Sequence, residues 1–299
     1  MSLPGFDELF RTADEKRPQV PVAAAGGADP TVIEALAIAA ERGWVRPVLS
    51  GPRDEIDQVA ASVGRDTSTW TVISGDENPA VGAVREIREG RARILMKGQI
   101  STPDLMKAVL DKTAGLRTGR VIGQVVLMEI PRDGRRFLMT DTGVTTAPTL
   151  EQKQDLLRSS TTIARSLGCA SPRVAVMSAT EKPTPALPDT QEAVELARLG
   201  GAGEFGDCVV EGPLSFDLAY STTAASRKKV GGEVTGGADV LLFPDLLSAN
   251  LTVKGIMYTA DCRFGGILCG AACPIVFMSR ADDVETRLRS LAYALRACD

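Results

Sequence analysis

A serine and an arginine, Ser279 and Arg280, follow a short apolar strand near the end of the sequence and precede a helix start. A hydroxyl and a guanidinium at the carboxyl end of a strand, beside a helix N-terminus, are suited to bind an anion. In the simpler alternative, Asp282 and Glu285 form a capping box and Arg280 is a solvated surface cation. The segment therefore predicts either an anion site or an ordinary helix start.

A second predicted strand ends at Lys97 and Gly98, and the helix after it has Pro103 in its first turn with Thr102 as the expected N-cap. A lysine in this place can bind phosphate, or it can simply close the strand. Lys107 lies five residues into the helix and can add positive charge, although a solvated surface position is the simpler explanation for it.

Gly212 and Pro213 allow a tight turn after a third strand, where Ser215 can cap the next helix and Asp217 lies in its first turn. A structural cap explains most of this turn. Gly212 would also let the backbone approach a ligand closely, so the turn is a second-choice binding segment.

A fourth strand leads into a helix that carries Asn250 and Lys254. Asn250 and the free backbone amides there can hold a polar ligand, or Ser248 or Asn250 can simply cap the helix. The glycine-rich segment 231–239 precedes its strand, so it fits neither the dinucleotide nor the Walker phosphate loop. We interpret that segment as a flexible connection.

Composition excludes several classes of function. The 299 residues carry a net charge of -4, with 44% hydrophobic and 24% charged residues, which does not indicate binding to nucleic acid or an anionic membrane. No apolar run approaches the roughly 18 residues that span a bilayer, and no signal peptide is evident, so we expect a cytoplasmic protein. The chain has no histidine, which excludes Ser-His and Cys-His nucleophiles and His-ligated metals. The six cysteines form no C-x-x-C pair and are predicted to be free, mostly buried thiols.

Short apolar runs alternate with longer amphipathic stretches, which predicts an α/β protein with mostly parallel sheets. The predicted strands are 20–25, 46–49, 70–73, 93–96, 121–130, 137–140, 174–178, 208–211, 240–244 and 274–279. The predicted helices are 30–42, 53–63, 80–89, 102–111, 150–167, 190–199, 215–228, 249–263 and 283–297.

The strands 121–130 and 137–140 flank a Pro-Arg-Asp-Gly turn and predict an antiparallel hairpin. This hairpin, followed by Asp141, is the expected domain boundary. We expect one three-layer αβα domain of residues 1–143 plus 268–299 and another of residues 144–267. Because sheets of this kind bind ligands beyond the carboxyl ends of their strands, the cleft between the domains is the expected site.

The sequence resembles the phosphate acetyltransferase and phosphate butyryltransferase family, and the butyryl branch most closely, over about residues 92 to 299. The matching segments keep the order and spacing of that family. They are 95–98 with Thr102, 115–117, 140–141, Pro148 with Leu150 and Lys153, 172–175, Glu181, Pro188 with Thr190 and Ala193, 211–214 with Asp217, 237–239, Pro244, Asn250 with Lys254, 274–276 and 279–282.

This resemblance implies a fold like that of the isocitrate and isopropylmalate dehydrogenases, a homodimer, and an active site in the interdomain cleft. It implies the reaction of acyl-CoA and phosphate to acyl phosphate and CoA, with CoA as a substrate and no metal or permanently bound cofactor. The family's serine and arginine correspond to Ser279 and Arg280, its strand-end lysine corresponds to Lys97, and Lys107 falls where the acetyl branch has an arginine.

Ser279 can then donate a hydrogen bond to the charge that develops during acyl transfer, and Arg280 can bind phosphate through both arms of its guanidinium. The candidate catalytic residues are Ser279, Arg280 and Glu285. The candidate substrate-binding residues are Lys97, Gly98, Thr102, Lys107, Asp141, Gly212, Pro213, Asp217, Asn250, Lys254 and Asp282.

The chain departs from the family at three places. Residues 123–125 read Gly-Gln-Val where many butyryl-type relatives have Ser-His-Val, and residues 247–249 lack the acidic and glycine residues common in relatives. Thr286 stands at the position of the acetyl branch's acidic base, so Glu285 beside it is our candidate base, with Asp282 nearer to the arginine.

Two alternatives stay open. One is a metal- and NAD-dependent dehydrogenase on the same fold, although no acidic or His metal cluster can be assembled from the sequence. The other is a homologue that binds CoA or phosphate without turnover. The acyl group also stays open between acetyl, butyryl and others.

Overall fold

The structure, a computed structural model, describes residues 2–15, 18–76, 78–279 and 282–298. Within these ranges eleven helices and eleven strands form a mixed α/β protein. In chain order they are α1 (Phe6–Glu15), β1 (Val20–Ala25), α2 (Pro30–Glu41), β2 (Val45–Ser50), α3 (Arg53–Ser62), β3 (Thr71–Ile73), α4 (Pro79–Arg88), β4 (Ile94–Lys97), α5 (Thr102–Val109), β5 (Gly123–Ile130), β6 (Arg135–Thr140), α6 (Leu150–Ser166), β7 (Arg173–Met177), α7 (Pro188–Gly201), β8 (Val209–Leu214), α8 (Phe216–Tyr220), α9 (Thr222–Lys228), β9 (Val240–Leu242), α10 (Leu246–Thr259), β10 (Arg263–Cys269), β11 (Ile275–Val276) and α11 (Val284–Ala297).

The chain divides into two compact units. The terminal unit comprises residues 6–120 and 265–298 of the described chain, and the middle unit comprises residues 2–5 and 121–264. The domains predicted from the sequence place residues 121–143 with the terminal segments, and those boundaries stay predictions.

The strands of the terminal unit are ordered β3-β2-β1-β4-β11-β10. Neighbours are parallel except for β10 and β11, and the register places Ala25 opposite Lys97 and Leu95 opposite Ile275. Parallel strands are buried on both faces, which explains why β1 and β4 read as continuous apolar runs. Since β1, β4 and β11 are parallel neighbours, the segments after them leave the sheet at one edge.

The strands of the middle unit are ordered β5-β6-β9-β7-β8. β5 and β6 form the predicted antiparallel hairpin, with its turn at residues 131–134, whereas β6, β9, β7 and β8 are parallel neighbours. A core of buried apolar side chains, including Met128, Phe137 and Leu241, packs these strands against the helices. The predicted α/β alternation, hairpin and mostly parallel pairing are confirmed.

Several element predictions are wrong. The sequence patterns did not predict α1 or β10, and the helix expected over 249–263 ends at Thr259. The helix expected over 215–228 is two helices, α8 and α9, and the strand expected over 274–279 is only the two residues of β11. β10 contains Gly265 and Gly266, and glycine is rare in strands, which hides its pattern.

Three expected helix caps are also wrong. Ser101, not Thr102, caps α5, because its hydroxyl accepts the amide of Asp104. Asp283 caps α11 in place of the Asp282–Glu285 capping box, and Asp245 caps α10 in place of Ser248 or Asn250. Ser215 does hold the N-cap position of α8, but its hydroxyl donates to the Asp217 carboxylate instead of bonding the backbone.

No helix in the described ranges combines the length and the apolar character that a membrane span requires. All six cysteines are free thiols, and Cys169, Cys269 and Cys273 are buried.

Candidate functional site

Lys97 lies at the carboxyl end of β4 and is 4% exposed. Its ammonium donates to the carbonyl oxygen of Gly98 at 3.4 Å. A buried ammonium is costly unless it is paired or solvated by polar groups. The structure places the predicted strand-end lysine at the sheet edge, and its contact with an anion stays a prediction.

Gly98 packs against the segment after β1. A side chain at Gly98 would place its Cβ 2.1 Å from the carbonyl oxygen of Gly26, and the amide of Gly98 donates to Ala25 at 2.8 Å. Gly26 itself has a φ of +77°, which favours glycine. The close approach of the two strand ends therefore explains Gly98, whose predicted contact with substrate stays a prediction.

Ser279 is exposed and lies three residues beyond β11, at the same sheet edge as Lys97. Its amide donates to the carboxylate of Asp282 at 2.7 Å, which ties Ser279 to Asp282. Arg280 lies outside the described residues. Glu285 is exposed in the first turn of α11, and its carboxylate is 2.6 Å from the guanidinium of Arg289.

The start of α5 already carries its own negative charge. The hydroxyl of Ser101 donates to Asp104 at 2.5 Å, so a carboxylate lies at the positive end of the helix. Thr102 and Lys107 are on this helix, and Lys107 lies in its last turn. The phosphate role predicted for these two residues stays a prediction.

The sequence patterns missed Arg287, which is 1% exposed on α11. Its guanidinium donates to the hydroxyl of Thr31 at 2.7 Å and to the carbonyl oxygen of Lys97 at 3.3 Å, and it lies 3.6 Å from the carboxylate of Asp29. Burial lowers the pKa of Arg287, and the negative charges of Asp29 and Asp282 oppose that effect. Helical periodicity alone gives no signal that an arginine at this position is buried.

In the middle unit, Asp141 follows β6 and is 3% exposed. One carboxylate oxygen accepts the amides of Gln124, Gly143 and Val144 at 2.9 to 3.1 Å, and the other accepts the amide of Thr145 at 2.7 Å. Gln124, one of the residues that depart from the family pattern, also accepts the hydroxyl of Thr142 through its side chain. The Asp141 carboxylate therefore holds the backbone of residues 143–145 in place. Its contact with substrate stays a prediction.

Four other predicted residues of the middle unit lie on two separate elements, α10 and β8. Asn250 donates its side-chain amide to the carbonyl oxygen of Thr142 at 3.1 Å, and Lys254 is exposed one turn further along α10. Gly212 and Pro213 lie inside β8, so the expectation of a tight turn at these residues is wrong. A Cβ at Gly212 would be 2.7 Å from the side chain of Val176, so close packing against β7 explains the glycine.

Asp217 forms an ion pair with Lys228 at 2.8 Å. The hydrogen bond from Lys228, followed by that from Ser215, lowers the pKa of Asp217. The carboxylate is therefore held charged by its own unit, and no contact with a substrate is needed to explain its position.

A cavity of about 580 Å³ lies at the carboxyl ends of β6, β9 and β7 in the middle unit. It is lined by Ala147, Pro148, Lys153, Met177, Ser178, Ala179, Leu187, Asp189, Glu192, Phe216, Phe243, Pro244, Asp245, Ser248 and Thr252. None of the substrate-binding residues predicted in this unit belongs to that lining, although Phe216 and Ser248 are close neighbours in sequence of Asp217 and Asn250.

The polar wall of this cavity was not predicted as a site. Lys153 is almost fully buried and pairs with Glu192, and Asp189 and Asp245 add two more carboxylates. The hydroxyl of Ser178 is buried and has no hydrogen-bond partner among the described residues. Lys153 had a sequence signal, since it belongs to one of the segments shared with the acyltransferases, but Ser178 had none. The cavity combines apolar walls with an excess of negative charge.

Two buried thiols are poorly suited to nucleophilic chemistry, and no metal centre is built in the described ranges. Burial raises the pKa of Cys273 to about 12 and that of Cys169 to about 11, so both thiols are protonated at neutral pH. No three acidic, cysteine or histidine residues of the described chain are grouped so as to hold a metal ion.

A family model described as phosphate acetyl/butaryl transferase matches residues 76–295. The chain belongs to this family. The phosphate butyryltransferase of Clostridium acetobutylicum is 35% identical over 291 residues, which are 97% of this chain and 96% of that protein. The phosphate acetyltransferase of Thermotoga maritima is 36% identical over 290 residues, 97% of this chain and 98% of that protein. The family resemblance drawn from the motifs is thus confirmed, and the chain is an acyltransferase.

Solved structures agree with the fold. A branched-chain phosphotransacylase from Enterococcus faecalis V583 superposes with a TM-score of 0.82 at 27% identity, covering 94% of this chain and 99% of that chain. The mixed α/β architecture with mostly parallel strands is therefore that of the phosphotransacylases. Similar identities to butyryl and acetyl enzymes leave the acyl preference between them undecided.

Proposed function

We propose that this chain catalyses reversible transfer of a short acyl group, butyryl or acetyl, between acyl-CoA and inorganic phosphate. The products are acyl phosphate and CoA. The observation that carries the proposal is buried Lys97, which lies at the same sheet edge as Ser279 in a chain of the phosphate acetyl/butaryl transferase family.

Phosphate binds, in this proposal, at the edge where β4 and β11 end. Lys97 supplies a buried positive charge, and Arg280, which the sequence places directly after Ser279, binds two phosphate oxygens. The hydroxyl of Ser279 donates to the negative charge that builds on the thioester oxygen when the nucleophile attacks. Holding the two reactants in attack geometry adds a further large contribution, of order 7 kcal/mol in favourable cases.

Proton transfer involves the thiol of CoA, which leaves or attacks as a thiolate. Glu285 is the proposed base, and Asp282 is the competing one. The Glu285 carboxylate forms an ion pair with Arg289, while the Asp282 carboxylate accepts the amide of Ser279. Comparing Glu285→Gln with Asp282→Asn distinguishes the two, since only loss of the base should remove the acidic limb of the pH–rate profile.

The cavity of the middle unit receives the acyl end of the acyl-CoA. Its apolar walls suit methylene groups, and the hydroxyl of Ser178 can donate to a carbonyl oxygen. The three carboxylates around one lysine disfavour a phosphate in the same place. A hydrophobic pocket discriminates by one methylene by only about 10- to 200-fold, so a preference between acetyl and butyryl groups is expected and not an absolute selection.

The finer expectations from the sequence belong to the same proposal. They are two αβα domains of the isocitrate and isopropylmalate dehydrogenase type with the site in their cleft, a homodimer, a cytoplasmic location, and CoA used as a substrate with no permanently bound cofactor. Family membership supports them as a group.

The deciding experiment measures thiol release from acetyl-CoA and butyryl-CoA, with and without phosphate, on protein treated with a chelator. Phosphate-dependent release supports the proposal, and the ratio of the two rates assigns the acyl preference. Binding of CoA without release would instead support a homologue that has lost turnover. Tight, stoichiometric binding of a divalent metal by the purified protein would support the dehydrogenase alternative.

Ser279→Ala tests the catalytic assignment. Loss of an oxyanion donor costs about 10²-fold or more in kcat, so a loss below threefold would reduce Ser279 to a turn residue. Arg280→Ala should raise the KM for phosphate and lower kcat, since its contacts strengthen as charge develops.

A further inference from the structure

Arg287 lies on α11, the helix that follows β11. Its guanidinium contacts residues at or after the ends of two other strands, β1 and β4. Asp29 and Thr31 come after β1, Lys97 ends β4, and α11 follows β11. These strands are parallel neighbours, so one guanidinium connects three strand ends at the edge proposed for phosphate.

The contacts are built around a fixed network. Asp29 caps α2 by accepting the amides of Thr31 and Val32 at 3.0 and 3.1 Å, and it accepts the hydroxyl of Thr31 at 2.7 Å. The same hydroxyl oxygen accepts from Arg287, so the arginine is oriented by a residue that is itself fixed at a helix start. Another arm of the guanidinium reaches the carbonyl oxygen of Lys97.

A fully buried arginine is a poor choice if packing is its only purpose. Its desolvation is expensive, and the carboxylate of Asp29 lies 3.6 Å away, beyond a strong hydrogen bond. Replacing buried ion pairs by apolar side chains is often neutral or stabilising. The desolvation cost of Arg287 is understandable if its planar guanidinium fixes the position of the neighbouring backbone more strictly than apolar packing would.

We propose that Arg287 is a positioning residue for phosphate, which holds Lys97 in register at the strand ends. This rests on the proposed function. Arg287 acts through Lys97, because its guanidinium bonds the backbone carbonyl of the residue whose ammonium is proposed to bind the anion.

The test is a double-mutant cycle between Arg287→Lys and Lys97→Met, with kcat/KM for phosphate as the readout. Arg287→Lys keeps the charge and loses the fork, and we expect a loss of about 30-fold with the KM for acyl-CoA changed less than about twofold. In the Lys97→Met background, the same substitution should cost less than about threefold, because the group it positions is gone. A purely structural arginine would give the same loss in both backgrounds, and that result would overturn the proposal.

Two further variants keep the test decisive. If Arg287→Lys does not fold, Thr31→Val removes the acceptor of the shortest guanidinium bond and should lower kcat/KM for phosphate about fivefold, again only when Lys97 is present. Arg173→Met, which breaks an ion pair with Asp239 in the middle unit, is the control for general destabilisation and should leave kcat/KM for phosphate within about twofold. An effect of Thr31→Val that persists without Lys97 would also contradict the proposal.

The wild-type assay separates this inference from the proposed function. A wild type without phosphate-dependent thiol release overturns both. An active wild type with equal losses in the two backgrounds overturns the role of Arg287 alone.

Discussion

The two units both gather polar residues at the carboxyl ends of parallel strands, but they do so with opposite chemistry. In the terminal unit, Lys97 and Arg287 are buried cations, and Asp29 is the buried carboxylate nearest to the arginine. In the middle unit, the cavity has apolar walls and carries three carboxylates against Lys153. The same kind of strand edge thus carries buried cations in one unit and an apolar cavity with excess negative charge in the other.

The difference arises from the side chains after the strands and not from the strands themselves. β1, β4, β7 and β9 are all short buried apolar segments. Their ends differ, because β4 closes with Lys-Gly, β7 with Met-Ser-Ala, and β9 leads into Phe-Pro-Asp. The contrast between the two units therefore lies in the first few residues after each strand.

The largest effect is expected from Lys97→Met, which removes one of the two buried cations named above for the terminal unit. Loss of a single electrostatic contact to the reacting group costs about 10²- to 10³-fold, so kcat/KM for phosphate should fall by that factor. The KM for acyl-CoA should change little. Steady-state kinetics with phosphate varied at saturating acyl-CoA measures the effect.

Lys112→Met provides the matched control, because it removes the same charge from an exposed position beyond α5. It should change kcat/KM by less than about threefold. Equal losses in the two variants would mean that only the overall field of the unit matters, and the contrast between the two strand edges would then not hold.

The next effect is on stability and belongs to the middle unit. Asp141→Asn keeps one acceptor oxygen but turns an amide group toward the backbone amides, so we expect a loss of about 2 kcal/mol in the free energy of unfolding. Urea denaturation followed by circular dichroism measures it. Asp245→Asn is the control, since asparagine caps a helix as well as aspartate does and should cost only a few tenths of a kcal/mol.

If Asp141→Asn is as stable as the wild type but raises a substrate KM, the residue contacts substrate, as the sequence predicted. A stability loss without a change in KM would assign it wholly to the loop.

A smaller effect is expected on acyl preference. Ala147→Leu narrows the middle-unit cavity from its exposed wall and should shift the ratio of butyryl-CoA to acetyl-CoA turnover toward acetyl by about tenfold. Ala202→Leu, at the exposed C-terminal end of α7, is the control with the same added bulk. If the KM rises equally for both thioesters, we would conclude that the cavity binds the CoA chain and not the acyl group.

Much of the architecture could be predicted because buried parallel strands leave apolar runs of strand length. The hairpin at residues 123–140 could be predicted because its Pro-Arg-Asp-Gly turn is local. Helix caps could not be assigned correctly where two candidates adjoin, as with Ser101 and Thr102 or Asp282 and Asp283, because the entry angle of the chain decides between them.

The site was predicted unevenly for the same reason. Lys97 ends a strand that the apolar pattern predicts, whereas Ser279 lies three residues beyond the end of β11, whose length the pattern overestimates. The burial of Arg287 and of the Ser178 hydroxyl depends on tertiary packing. From the sequence alone, an arginine in a helix is expected to be solvated, and only the packing of α11, most of whose residues are buried, shows that Arg287 is not.

The smallest effect concerns Asp217, the predicted site residue that is paired with a cation of its own unit. Lys228→Met removes the main cause of its lowered pKa, and since both side chains are largely exposed the loss should be below about 1 kcal/mol at pH 7. A depressed carboxylate pKa stabilises the fold above the unfolded-state pKa, and this contribution disappears as the pH falls through the folded-state pKa. The difference in unfolding free energy between variant and wild type should therefore be present at pH 7 and vanish in acid. A change in the KM for acyl-CoA with no such pH dependence would instead make Asp217 part of the binding surface, and the middle unit would then use charge, as the terminal unit does.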